Sequence, residues 1–151
     1  MDWYLVRHGD ALPASVDGRR PLSLRGREEV EMVGREALAR NVRVAAICHS
    51  GILRAQQTAE IIARFLAPPE GIRELSGLHP EDDPAFGQAE LEAAEEPVML
   101  VGHLPHMSRL AALLVNGDPD RPVIEFSPAT IVCCSKAGTQ WQIDWQIAPA
   151  R

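Results

Sequence analysis

The chain has no apolar run approaching the roughly 20 residues that a membrane-spanning helix needs. It also lacks the basic n-region and apolar h-region of a secretory leader, since Asp2 is followed directly by the strand-like Trp3-Tyr4-Leu5-Val6. The cytoplasm is the expected compartment, with no membrane partner. An excess of positive charge is missing too: 15 Lys and Arg against 21 Asp and Glu give a net charge of −6. That excludes a general nucleic-acid surface, which needs a basic face, and confines any anion site to a local cationic pocket. Cysteines are few. Cys48, Cys133 and Cys134 are odd in number with two adjacent, which fits neither a disulfide framework nor a CxxC metal site. Reduced thiols on opposite faces of a strand are expected instead, and no metal. Repeats, low-complexity segments and linkers are absent, so residues 1–151 read as one domain. At 46% hydrophobic and 24% charged residues, the composition is that of a folded core.

What is present alternates. Residues 2–7 read as a buried strand, and Ser23 is placed to cap a helix over 24–39 with Val30, Val33, Ala37 and Leu38 on one face. A second short strand (43–48) leads into a helix over 52–66, stopped by Pro68-Pro69. Residues 70–84 read as irregular, followed by a modest helix over 84–94, a third strand over 97–102 and a helix over 105–115. The end reads as a hairpin turning at Ala137-Gly138, with Trp141, Ile143 and Trp145 on its packed face. This pattern predicts a three-layer α/β/α sandwich with a mostly parallel central sheet and a C-terminal antiparallel hairpin.

Three strand ends carry the chemistry. The first closes on Arg7-His8-Gly9, the second on His49-Ser50-Gly51 with Arg54 one turn into the next helix, and the third on Gly102-His103 before Leu104-Pro105. In a parallel sheet these ends share one edge, where ligands bind. Two guanidiniums suit bidentate contacts to phosphate, and helix N-termini add free amides. A neutral imidazole beside them can act as nucleophile or base.

These blocks, with Pro21-Leu22-Ser23 and Gly26 between them and the run Ser50-Gly51-Ile52-Leu53-Arg54-Ala55-Gln56-Gln57-Thr58-Ala59-Glu60, resemble the histidine phosphatase superfamily, which also contains the cofactor-dependent phosphoglycerate mutases. Within it the chain is most similar to the short SixA-type phosphohistidine phosphatases. The resemblance implies a phosphoglycerate mutase-like fold and His8 as a transiently phosphorylated nucleophile. It also implies Arg7 and Arg54 as phosphate clamps and His103 as the second pocket histidine. Gly9, Ser50 and Leu104 would complete the phosphate-binding set, which would hold phosphate or sulfate without cofactor or metal.

Other residues carry blander expectations. Ser50 supports the pocket or caps its helix. His49 reads as a strand-end residue, His106 as a surface or capping residue, and Thr58 and Gln57 as helix packing. His79 reads as solvent-exposed and Glu81-Asp82-Asp83 as a solvated loop. Larger relatives carry a glutamate general acid between the second and third strands. Here Gly77 falls near that stretch, with Glu74 a fallback at a strand end. An alkoxide leaving group gains about two to four powers of ten from a proton donor, whereas the imidazole of a P–N bond needs little help. The expected substrate is a phosphohistidine on a histidine phosphotransfer domain or phosphocarrier protein. The alternatives are a small-molecule phosphomonoesterase using Glu74 or His79 as acid, and an anion-binding module without turnover.

Overall fold

The computed structural model describes residues 1–150. The elements run β1 (Asp2–Arg7), α1 (Leu24–Ala39), β2 (Ala46–His49), α2 (Leu53–Leu66), β3 (Ile72–Glu74), α3 (Pro84–Ala93), β4 (Val98–Gly102), α4 (His106–Asn116), β5 (Ile131–Ala137) and β6 (Gln140–Ile147). They build one sheet in the order β3-β2-β4-β1-β5-β6. The first four of these are parallel, and β5 and β6 are antiparallel additions. The unbroken apolar strands β1, β2 and β4 occupy the interior, as expected for strands covered on both faces. Tyr4 and Val6 point into the layer beneath α1 and α2, while Trp3 and Leu5 point into the layer beneath α3 and α4.

Ser23 caps α1 as expected, its hydroxyl accepting from the Gly26 amide at 3.0 Å; such a cap contributes about 1 kcal/mol. α2 ends at Ala67 in the left-handed conformation, just before the two prolines. Among the described residues, no helix is long and apolar enough to cross a membrane.

Three local expectations need correction. The segment 70–84 contains β3, which pairs with β2 from Ile72 to Glu74; three residues are too few to set up a readable alternation. Leu38 is 50% exposed and does not join Val30, Val33 and Ala37 in the core. In the hairpin, a register shift sets Ile143, Asp144 and Trp145 opposite Cys134 and Cys133. One extra residue turns the rest of the strand over, so Trp141 and Ile143 pack on the α3/α4 side but Trp145 and Ile147 on the α1/α2 side. Cys133 and Cys134 are free and do face opposite layers.

The chain leaves β1 toward the α1 layer and β4 toward the α4 layer, although the two strands are neighbours. Diverging connections of this kind open a crevice at the C-terminal ends of the strands.

Candidate active site

The register pairs Arg7 with Gly102, so His8 and His103 emerge side by side. The turn is held from both flanks: the His8 amide donates to the Gly102 carbonyl at 3.0 Å, and the Ala129 amide reaches the Arg7 and His8 carbonyls at 3.1 Å. The two imidazole rings are 5.0 Å apart, tilted by 54°. His8 Nδ1 lies 2.6 Å from the Gly9 carbonyl. A carbonyl can only accept, so Nδ1 carries the proton and Nε2 keeps its lone pair. Burial, reinforced by Arg54, Arg7 and Arg20, lowers the His8 pKa to about 4 against the opposing pull of the Gly9 hydrogen bond. Burial, then His8 and Arg54, bring His103 down to about 3. Both rings are neutral near pH 7. Ser50 Oγ sits 2.7 Å from His103 Nε2 and also accepts from the Ile52 amide at 3.2 Å. The serine therefore holds the second histidine and also orders the turn into α2.

Arg7 is oriented by a 2.7 Å hydrogen bond from Nη1 to the Phe126 carbonyl. Arg54, in the first turn of α2, has a buried Nε with no hydrogen-bond partner and makes no ion pair among the described residues. Burial and neighbouring Arg20 both disfavour its charge. Arg20 is a third pocket cation that sequence reasoning missed. It lies in the loop before α1 at φ 49°, anchored by Nε to the Leu12 carbonyl at 3.0 Å. No periodicity marks such a residue; its position just before Pro21-Leu22-Ser23 was the available signal.

Residues 3–81, more than half of the chain, match the histidine phosphatase superfamily (branch 1). Phosphohistidine phosphatase SixA of Escherichia coli K12 is 30% identical over 154 residues, covering 99% of this chain and 94% of that protein. The chain belongs to the histidine phosphatase superfamily. Among solved structures, the protein histidine phosphatase SixA complexed with tungstate superimposes with a TM-score of 0.85 at 29% identity, covering 99% of this chain and 97% of that one. A putative SixA from Agrobacterium tumefaciens shares the fold, with a TM-score of 0.82 at 23% identity and 99% and 98% coverage.

In this histidine phosphatase, two residues expected to serve only as packing fasten the site. The Gly9 amide donates to Thr58 Oγ1 at 3.1 Å, and that hydroxyl donates to the Arg54 carbonyl at 2.8 Å. Gln57 Oε1 accepts from the Leu22 amide at 2.8 Å, holding the loop that follows Arg20. α1 closes in so tightly that a Cβ at Gly26 would run into the Asp10 carbonyl oxygen. Thr58→Val keeps the shape of the side chain but orphans the buried Gly9 amide. A loss of about 1–3 kcal/mol in urea unfolding is expected, with a fall in kcat exceeding the change in KM as the His8 turn loosens.

The remaining candidates divide. His49 is a buried strand-end residue whose Nδ1 accepts from the Gly51 amide at 3.0 Å. His79 is exposed as expected, yet its Nε2 donates to the Ser50 carbonyl at 3.0 Å, so it overhangs the pocket rim. Its loop is ordered rather than merely solvated. Asp82 accepts from the His79 amide at 2.9 Å, and Asp83 accepts from Ala85 to cap α3. Glu74 ends β3 on the same sheet edge and rests on Gly51, where a Cβ would lie 2.6 Å from its carboxyl carbon. It acts on His49, whereas the groups lowering His8 besides burial are all arginines. His106 corrects the expectation most sharply: it is fully buried, with neither ring nitrogen hydrogen-bonded. It faces Gly87 of α3 beside Leu110, in space left by the missing side chain. Leu104 is half-buried beside the pocket. Among the described residues, the cluster with metal-ligand proximity is Asp2, Cys133 and Asp144, at the start of β1 and away from His8.

The pocket histidines set a pH dependence. Their folded pKa values of about 4 and about 3 lie below the ordinary 6.5. Between those limits the unfolded chain binds protons that the folded chain does not, so stability falls as pH drops from 6.5 toward 3 and is flat above 6.5 for these groups. Urea midpoints measured from pH 8 to 4 are expected to follow that course.

Proposed function

We propose that this chain is a protein phosphohistidine phosphatase working through phospho-His8. The observation that carries the reading is a neutral His8 with Nε2 available, acted on by Arg7, Arg20 and Arg54. The name of the Escherichia coli relative and the tungstate held by the SixA structure support the same assignment.

His8 Nε2 attacks phosphorus, the P–N bond to the substrate histidine breaks, and the departing imidazole takes its proton from solvent. Water then attacks phospho-His8 and releases inorganic phosphate, returning the lone pair to Nε2. Charge on the three equatorial oxygens is met by the guanidiniums already in place, the dominant source of catalysis in phosphoryl transfer. His103 starts neutral, and a phosphoryl dianion beside it favours its protonation, so it can donate to an oxygen. The charge compensation comes from arginine, and the mechanism calls for no cofactor. The substrate is a histidine phosphotransfer domain or phosphocarrier of the same compartment, expected to be the cytoplasm.

One observation favours a second reading. Glu74 at Gly51 is a carboxyl within the pocket margin that could protonate an alkoxide, as a phosphomonoesterase requires. Phosphate release from a phosphorylated histidine carrier protein, compared with a panel of sugar phosphates, separates the two. Faster turnover of the carrier that is insensitive to Glu74→Gln supports the phosphohistidine reading. Preference for sugar phosphates with steep loss in Glu74→Gln overturns it.

A further inference from the structure

A groove of about 880 Å³ runs alongside the phosphate pocket. Leu104 and Ile124 give it a partly exposed apolar surface over the buried Phe126, Ser108 of α4 and Gln146 of β6 contribute to its walls, and Glu125 is its charged residue. It is continuous with the site at two points. Leu104 directly follows His103, and the Phe126 carbonyl holds the Arg7 guanidinium at 2.7 Å. The groove therefore borders residues that adjoin or hold the candidate phosphate clamp.

Two other clefts, of about 320 and 380 Å³, open at the opposite ends of the strands around Ala45 and are flanked by Glu70 and Glu96. A partner whose phosphohistidine reaches His8 cannot fill those clefts with the surface next to that residue. The groove beginning at Leu104 is within its reach. Its chemistry also specifies the partner: an apolar side chain for Leu104 and Ile124, and a cationic one for the exposed carboxylate of Glu125.

We propose that this groove is the docking surface for the protein carrying the phosphohistidine, receiving an apolar side chain adjacent to that histidine and a basic side chain against Glu125. The proposal rests on the phosphohistidine reading above and adds to it where the carrier protein sits.

The test uses two substrates with the same P–N bond, a phosphorylated histidine carrier protein and phosphoimidazole, which is too small to enter the groove and the pocket together. Ser108→Trp fills the groove from α4 without touching the phosphate clamp. It is expected to lower kcat/KM on the carrier by about 10-fold or more, chiefly through KM, while phosphoimidazole turnover changes less than about twofold. Glu125→Lys is expected to lower the carrier rate several-fold, with the deficit shrinking at high salt. Should Ser108→Trp fail to fold, Gln146→Trp fills the groove from β6 instead. Equal losses on both substrates, or no loss on the carrier, overturn the docking assignment while leaving the phosphatase reading intact. A dimer in sedimentation that dissociates in Ser108→Trp with unchanged carrier turnover also overturns it, assigning the groove to a second copy. An unsubstituted enzyme that cleaves neither P–N substrate removes the parent reading itself.

Discussion

His8→Ala is expected to lower phosphohistidine turnover by at least ~10³-fold, because in the proposed mechanism it removes the atom that forms the covalent intermediate rather than a helper to it. The remaining guanidiniums would still bind phosphate, so KM or product inhibition should change far less than kcat. Rapid quenching with radiolabelled carrier protein gives the sharper readout. The unsubstituted enzyme should take label transiently and hold it in a linkage stable to alkali but lost in acid, as phosphohistidine is. His8→Ala should take none. Label persisting in the alanine variant, or turnover within tenfold of the parent, would overthrow the covalent mechanism.

The second large effect belongs to Arg54. Its guanidinium has a buried Nε without a partner and makes no ion pair among the described residues, which suits the phosphate-clamping role proposed for it. Removing one such preorganised donor costs on the order of 10²–10³ in kcat, and Arg54→Ala is expected to show that loss. Arg54→Lys should recover little of it, since an ammonium restores the charge but not the planar fork that matches two phosphate oxygens. Two further measurements separate this role from a structural one. Of the neighbouring arginines, Arg54 opposes a charge on His8 most strongly, so its loss should move the acid limb of the pH–rate profile upward. Relief of a desolvated, unpaired charge should leave the alanine variant at least as resistant to urea as the parent. A variant that loses activity and stability together would mark Arg54 as a structural residue.

Most parts of this site legible in the sequence share one property: they stand at the end of an apolar strand. Arg7, His8, Ser50 and His103 could be assigned to one edge because a buried parallel strand has a definite direction and end. Arg54 followed from being one turn into a helix. Arg20 obeys neither rule, since its place depends on a left-handed loop residue tied to the Leu12 carbonyl. Thr58 and Gln57 were visible but misjudged, because a polar residue on an amphipathic helix looks the same whether it faces water or another loop's amide. His106 was hidden for the converse reason: the room it fills is made by Gly87, a residue distant in sequence. The fold followed the alternation of strand and helix. The three-residue β3 and the single bulge in β6 lay below the resolution of any periodicity.

His8 and His103 stand on neighbouring strands whose helices pack on opposite sides of the sheet. In the proposed mechanism a phosphoryl group between them would be gripped partly from one apolar layer and partly from the other. The enzyme's rate becomes a gauge of how well those two layers stay in step. A substitution deep in either one, far from any substrate, would register first as misaligned chemistry and only later as a loss of fold.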